Sequence, residues 1–195
     1  MNCRNRPANC RLRQRQLNRE LMRFVSAQIQ NQMKHHDMTI CLWYDDQAEQ
    51  AANFYTSIFK DSEIGEISRF GKEGFEHHGR PEGSAMTVTF RINKMNFVAL
   101  NGGPLFKFNE AVSIIIHCDT QEEIDHYWTE LTKGGKESQC GWLKDKFGVS
   151  WQITPSVLPE YFKARDPEKR RRVEQLMYQM EKFDLAKLQQ AYEGK

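Results

Sequence analysis

The chain lacks long hydrophobic runs, and no window approaches the roughly 18 uninterrupted apolar residues of a membrane-spanning helix. Cysteine is also sparse: the five cysteines are odd in number and widely spaced, and no two of them form a Cys-x-x-Cys pair. These absences argue against a membrane partner, a disulfide framework and a zinc cage. We therefore expect a protein of the reducing cytoplasm.

Glycine-rich phosphate loops are missing as well. The pair Gly102-Gly103 is too short to cradle a phosphate, and it does not open a predicted helix as a dinucleotide fingerprint requires. A nucleotide-derived methyl donor usually sits in a Gly-rich turn of a doubly wound sheet. The sequence offers no such turn, so we expect no cofactor of this class.

Net charge is small, but it is distributed unevenly. Residues 1–34 hold seven arginines and one lysine against the single acid Glu20, although the whole chain has a net charge of +2. A basic arm can contact nucleic acid or membrane, or can act as a targeting peptide, but this one lacks the apolar core of a secretory signal. An apolar stripe permits a short helix over residues 12–31. We expect residues 1–37 to be a poorly ordered basic extension, or an upstream stretch that precedes a natural beginning at Met38. We expect no nucleic-acid partner.

One pattern occurs twice in the chain. Asp45-Asp46-Gln47-Ala48-Glu49 returns as Asp119-Thr120-Gln121-Glu122-Glu123, and each copy follows a short apolar run and opens an amphipathic stretch. A strand, a cap, a helix and further strands, repeated once, indicate a tandem supersecondary unit. Two such units can bury a shared core and leave a cleft between them.

The periodicity of apolar residues predicts the same order of elements in both modules. In the first module (residues 38–101) we predict a strand at 39–44, a helix that Asp45 or Asp46 caps and that runs to Phe59, and strands at 63–70, 84–92 and 95–100. In the second module (residues 111–155) we predict a strand at 112–118, a helix at 121–131, and strands near 137–139, 141–144 and 149–154. In residues 161–195 we predict helices from Asp166 to Met180 and from Asp184 to Gly194.

Several short runs carry a specific family resemblance. They are Cys41-Leu42-Trp43-Tyr44-Asp45, Ala51-Ala52-Asn53-Phe54-Tyr55, Leu100-Asn101-Gly102-Gly103-Pro104, Phe106-Lys107-Phe108-Asn109-Glu110-Ala111, Cys140-Gly141-Trp142-Leu143-Lys144-Asp145 and Gly148-Val149-Ser150-Trp151-Gln152. Through them, residues 38–160 resemble the vicinal oxygen chelate (glyoxalase/bleomycin-resistance) superfamily, and within it the PhnB-like branch. The resemblance implies an α+β fold, in which two tandem βαβββ modules form a cupped mixed sheet, and a homodimer.

The metal site of that superfamily does not carry over to this chain. Metal-dependent members hold the ion with four His or Glu side chains inside the cup, and alignment of the strand–helix junctions puts these positions at Ile40, Ala99, Ser113 and Gln152. Isoleucine and alanine cannot ligate a divalent ion, and serine and glutamine are weak neutral donors. A shift of one residue does not recover four ligands. We therefore expect no metal, and a mechanism that needs one as Lewis acid or oxygen carrier loses its basis.

The lining of the predicted cup is typical of a small-molecule pocket. Strand alternation puts Ser113, Ile115 and His117 on its inner face, where His117 could accept a proton or simply be satisfied by the backbone. Aromatic walls with a few neutral polar groups are the usual composition of such pockets, although these aromatics could also fill the core and the dimer seam. The candidate lining residues are Asn101, Phe106, Phe108, Ser113, His117, Trp142 and Gln152.

These patterns favour a metal-free, cytoplasmic, homodimeric protein that binds a small molecule. The alternative is an enzyme on the same fold. It could use His117, Ser113 and Gln152 as polar groups, it could be a metal-dependent lyase or dioxygenase with a metal site at His77 or His78, or it could be the methyltransferase suggested by the demethylubiquinone label that the branch often carries. No nucleophile has an evident base, since His117 and Cys118 are adjacent in a strand and point to opposite faces.

The repeat also predicts that the basic extension is dispensable for folding, because nothing before Met38 belongs to either module. A chain that starts at Met38 is expected to be soluble and to melt within about 10 °C of the full-length protein. Circular dichroism melting curves of both chains measure this. An insoluble truncated chain, or a larger loss of melting temperature, would show that residues 1–37 stabilise the rest.

Overall fold

Two copies of one folding unit follow each other along the chain, as the repeat predicts. The computed structural model describes residues 38–73, 75 and 79–195. The first copy contains β1 (Thr39–Tyr44), α1 (Ala48–Ile58), β2 (Ser62–Arg69), β3 (Ala85–Ile92) and β4 (Met95–Asn101). The second contains β5 (Ile114–Cys118), α2 (Gln121–Thr132), β6 (Lys136–Glu137), β7 (Trp142–Lys144) and β8 (Ser150–Pro155). The helices α3 (Leu158–Phe162), α4 (Pro167–Met177) and α5 (Leu185–Glu193) follow.

Both units build the same four-stranded mixed sheet. The strand order is β1-β4-β3-β2 in the first sheet and β5-β8-β7-β6 in the second. The pairs β1–β4 and β5–β8 are parallel, and the other neighbours are antiparallel. The α+β architecture of two βαβββ modules is thereby confirmed. In both sheets the first strand of the module lies at an edge.

Alternating side chains attach each sheet to the core by one face. On β3, Val88, Phe90 and Ile92 are buried and Thr89 is exposed, which matches the predicted alternation. The helix α1 covers this buried face with Ala48, Ala51, Ala52, Tyr55 and Ile58. Because alanine side chains are small, the helix can approach the sheet closely.

The start of α1 differs from the prediction. Neither Asp45 nor Asp46 caps this helix, and the residue before it makes no side-chain capping bond. Instead Asn101, at the end of β4, accepts a hydrogen bond from the Ala48 amide (2.8 Å) and donates one to the Ala85 carbonyl (2.9 Å). Helix α2 is capped locally, because Thr120 and Glu123 form a reciprocal capping box.

Aromatic rings join the two modules. The ring of Trp151 on β8 lies 5.5 Å from Tyr55 and 5.8 Å from Phe59, both of which come from the first module. Phe59 also stacks on Tyr127 of α2 at 5.1 Å. Trp151, Tyr55 and Phe59 are buried, so α1 packs against both the first sheet and the second module.

A buried carboxylate lies at this junction. Asp145, in the turn between β7 and β8, accepts hydrogen bonds from the Tyr55 hydroxyl (2.8 Å) and the Trp151 indole N–H (2.8 Å). It also accepts bonds from the amides of Phe147 (2.9 Å) and Val149 (3.1 Å). Burial raises the pKa of Asp145, and these four donors counteract that rise by stabilising the charged form. The carboxylate therefore connects the first module, β8 and its own turn.

The segment after β8 contains one helix more than predicted. Helix α3 is only five residues long, which is too short to show a helical period in the sequence. Helix α4 begins at the predicted Asp166 cap but ends at Met177 rather than Met180. Helix α5 begins after Asp184 and ends at Gly194, whose φ of 80° is the left-handed conformation of a helix stop.

No helix in the described part of the chain is both long and apolar enough to cross a lipid bilayer.

The Asp145 network gives a test of how the modules are held together. The Asp145→Asn variant replaces one acceptor oxygen by an N–H₂ group, which faces the donors of Tyr55 and Trp151 and cannot accept from them. We therefore expect the free energy of unfolding to fall by about 3 kcal/mol. Tyr55→Phe removes one donor and is expected to cost about 1 kcal/mol. Urea unfolding followed by tryptophan fluorescence measures both changes. The control is Asp166→Asn, since asparagine also caps helices, and an equal effect of Asp145→Asn and this control would contradict the assignment.

Candidate functional site

The face of the second sheet that points away from the core carries the candidate site. On β8, Trp151 and Ile153 are buried in the core, so Ser150 and Gln152 belong to the opposite face. The register places Trp142 beside Gln152 and Lys144 beside Ser150. We call these four residues the outer face of the second sheet.

A cleft of about 380 Å³ lies on this face. We name it the Lys144 cleft. It is lined by Glu110, Lys136, Glu137, Ser138, Gln139, Trp142, Leu143, Lys144 and Ser150.

A second cleft of about 430 Å³ runs along the strand edges. We name it the edge cleft, because β1 and β5 both contribute to it. Its lining includes Ile40, Cys41 and Leu42 of β1, Ser113, Ile114 and Ile115 at β5, and Met95, Phe108, Val112, Val149 and Ser150.

Ser150 lines both clefts. Its residue exposure is 2%, and its hydroxyl has no hydrogen-bond partner among the described residues. A buried hydroxyl without a partner costs free energy, and native proteins usually satisfy such groups with another protein group, water or a ligand. The orphaned hydroxyl therefore marks the boundary between the clefts as a place where a polar atom would be stabilised.

Ser113 and Gln152 are brought together as the sequence suggested. The Gln152 side-chain amide donates to the Ser113 hydroxyl at 2.8 Å. Trp142 is the cross-strand neighbour of Gln152, and Ser113 immediately precedes β5, so three of the predicted lining residues lie close together. Phe108 reaches the edge cleft from the preceding loop.

The other predicted lining residues lie elsewhere. The side chain of Asn101 is occupied by Ala48 and Ala85, so it fixes the start of α1. Phe106 is 60% exposed and packs edge-on against Trp43, with 4.9 Å between ring centroids. His117 is exposed on β5 and lines neither the Lys144 cleft nor the edge cleft.

The neighbouring thiol of Cys118 is inert. Cys118 is buried in the core, and its pKa is raised to about 12 by burial and then by the charges of Glu123 and Asp119. At neutral pH the group is therefore a thiol and a poor nucleophile. It cannot act together with His117, which points to the other face of the strand.

The alignment of the metal-ligand positions was wrong in the first module. Ala99 is fully buried, and Ile40 is partly buried against the core and borders only the edge cleft, so the two positions do not share an open face. The opposite face carries Cys41 and Val98, which are paired across β1 and β4. Within residues 38–73, 75 and 79–195, no three His, Cys, Asp or Glu side chains are grouped so that they could hold a metal ion. His77 and His78 lie outside the described residues.

Sequence reasoning missed the charged residues of the site. Glu110, in the loop before β5, forms an ion pair with Lys144. The hydrogen bond from Lys144 lowers the pKa of Glu110, and the nearby charge of Lys136 contributes in the same direction. Residues two apart on a strand share a face. The predicted Gln152 could therefore have placed Ser150 on the outer face, and the predicted Trp142 could have placed Lys144 there.

A family model described as 3-demethylubiquinone-9 3-methyltransferase matches residues 36–154. Among solved structures, the chain is 36% identical to a PhnB protein from Bacillus cereus that carries the provisional description 3-demethylubiquinone-9 3-methyltransferase. That match has a TM-score of 0.55 and covers 61% of this chain and 98% of the other. Protein PA1353 from Pseudomonas aeruginosa is 16% identical over 61% of this chain and 96% of its own, with a TM-score of 0.49. No curated protein is significantly similar.

The family match, the Bacillus cereus structure and the paired βαβββ topology agree with one another. The family model extends over both modules, from just before β1 to the end of β8. The chain therefore belongs to the 3-demethylubiquinone-9 3-methyltransferase family, the PhnB-like branch of the vicinal oxygen chelate superfamily.

Proposed function

We propose that the protein is a metal-free, homodimeric, cytoplasmic protein that binds a small organic molecule at the outer face of the second sheet. The observation that carries this proposal is Ser150, which lines two clefts and whose buried hydroxyl has no hydrogen-bond partner among the described residues. Clefts of this size fall in the range that small ligands occupy. A ligand atom at Ser150 would recover the hydrogen bond that the described residues do not supply.

The surroundings of Ser150 suit binding better than catalysis. Trp142 offers an aromatic wall in the Lys144 cleft, and Ser113, whose hydroxyl is bonded to Gln152, offers a neutral polar atom in the edge cleft. Lys144 is ion-paired with Glu110, and an ammonium group has no lone pair with which to accept a proton from Ser150. The face thus provides an apolar surface and hydrogen-bonding groups, without an activated nucleophile.

The methyltransferase activity in the family's description is not part of this proposal. A nucleotide-derived methyl donor is usually held by a Gly-rich turn between a strand and a helix. Here Gly102-Gly103 follows β4 and leads into a segment without helix or strand.

Placement in the cytoplasm rests on cysteine usage: the three described cysteines, Cys41, Cys118 and Cys140, are free thiols.

Self-association is proposed through the edges of β1 and β5. Each of these strands pairs with one neighbour within its sheet, and an unpaired strand edge readily adds a further partner. Apolar side chains surround these edges, with Val112 75% exposed, Ile115 48% and Met95 44%. Covering this apolar surface with a second copy would remove it from water.

The role of Ser150 predicts opposite effects on stability and on binding. Ser150→Ala deletes a buried hydroxyl that has no partner, so we expect the ligand-free protein to gain about 1 kcal/mol of unfolding free energy. We expect the same variant to lose a metabolite that native mass spectrometry detects on the freshly purified wild type. Ser57→Ala is the control, because that hydroxyl is bonded to the Phe54 carbonyl on the surface of α1. The proposal fails if no metabolite copurifies, or if Ser150→Ala retains it in full.

The proposed dimer has its own test. Light scattering at tens of micromolar is expected to give about twice the chain mass of 23.0 kDa. Ile115→Lys puts a charge into the edge cleft and is expected to halve the measured mass, because a buried unpaired charge is costly. Tyr178→Lys is the matched control, since Tyr178 is 62% exposed on a different part of the surface. A wild-type monomer, or an Ile115→Lys dimer, would contradict this interface.

A further inference from the structure

Two lysines and the orphaned serine form one row across the second sheet. Lys136 of β6 is the cross-strand neighbour of Lys144 of β7, and Lys144 is the neighbour of Ser150 of β8. All three line the Lys144 cleft. The row therefore brings two ammonium groups and one unpartnered hydroxyl to the same cavity.

We propose that the Lys144 cleft binds an organic anion with an apolar body, and that Glu110 occupies the position of the anionic group in the empty protein. This inference rests on the proposed function and names its ligand class. The ligand's anionic oxygens take the place of the Glu110 carboxylate on Lys144 and accept a bond from the Ser150 hydroxyl. Its apolar body lies against Trp142.

The choice of an anion follows from the hydrogen-bonding groups of the row. A lysine ammonium has three donors and no acceptor, and a serine hydroxyl can donate to an oxygen anion. Of the two acids in the cleft, Glu137 accepts a bond from the Trp128 indole N–H at 2.8 Å. Glu110 is the acid that is paired with Lys144. A cationic ligand would be repelled by the lysines, and a neutral acceptor would form a weaker bond than the Glu110 carboxylate that it displaces, whereas an anion replaces that carboxylate with a group of the same charge.

Glu110 is suited to be displaced. Its side chain is 65% exposed, whereas that of Lys144 is 34% exposed. It lies in the stretch between β4 and β5 that has neither helix nor strand. An exposed ion pair of this kind contributes little to stability. A ligand can therefore replace the Glu110 carboxylate at small cost, and the proximity of Lys136 still favours a negative charge at that position.

The apolar part of the ligand is indicated by the cleft's shape and walls. The indole of Trp142 is half-buried on the same face, two residues from Lys144 on β7. The cavity of about 380 Å³ has room for a body of one or two rings beside the anionic group. A carboxylate on a flat apolar frame matches both features.

The test compares three probes that differ in charge and in apolar surface: 2-naphthoate, 2-naphthamide and inorganic phosphate. Isothermal titration of the full-length protein is expected to show 2-naphthoate binding about tenfold tighter than either of the other two. Lys144→Gln is expected to remove the preference for 2-naphthoate over 2-naphthamide, because these two probes differ in charge but share the same apolar frame. Glu110→Gln removes the internal competitor and is expected to tighten 2-naphthoate binding about threefold. Glu160→Gln is the matched control, because it breaks a similar exposed ion pair, with Lys163, outside the cleft.

Each remaining outcome has a definite meaning. If 2-naphthamide binds as tightly as 2-naphthoate and Ser150→Ala weakens both, the anion inference is overturned and the proposed function stands. If phosphate binds as tightly as 2-naphthoate, the cleft recognises charge alone and the apolar part of the inference is wrong. If Glu110→Gln weakens the binding of 2-naphthoate, or changes it no more than Glu160→Gln does, the Glu110 carboxylate does not occupy the position of the ligand's anionic group. If no probe binds at about 10 mM and no metabolite copurifies, both the inference and the proposed function fail.

Discussion

The carboxylate of Asp145 is the interaction on which the junction between the modules and the candidate site both depend. It lies in the turn between β7 and β8, and it is bonded to Tyr55 of the first module and to Trp151 of the second. The same carboxylate accepts a bond from Val149, the residue immediately before Ser150. The position of Ser150 is thus set by the network that holds the modules together, because a shift of the turn would break bonds to a buried charge.

Strand alternation divides the second sheet between structure and function. Trp151 and Ile153 belong to the core, whereas Ser150 and Gln152 lie on the opposite face, where Ser150 lines both clefts and Gln152 lines neither. Helix α2 packs on one face of the sheet, and the two clefts lie on the opposite face. In the first sheet the corresponding face carries Cys41 and Val98. The polar groups of the Lys144 cleft come from the second module and from Glu110 in the loop that precedes it.

The sequence predicted features that depend on local patterns. The tandem modules, the order of strands and the Asp166 and Asp184 caps could be read from apolar periodicity and capping residues. The start of α1 could not, because its amide bonds to Asn101, which is 53 residues away. Of the predicted lining residues, Ser113, Gln152 and Trp142 lie together, whereas Asn101 fixes a helix. Lys144 and Ser150 were missed, because their importance depends on cross-strand register and on a missing hydrogen-bond partner, which no local pattern encodes.

Ser150 lines both the Lys144 cleft and the edge cleft, and its buried hydroxyl has a single proton. It can therefore donate to an acceptor in one cleft at a time. An acceptor bound on one side takes this donor away from the other side, so the two occupancies are thermodynamically linked. Since the edge cleft is bordered by β1 and β5, an acceptor that the proposed dimer placed there would compete with the proposed ligand of the Lys144 cleft for one hydrogen atom.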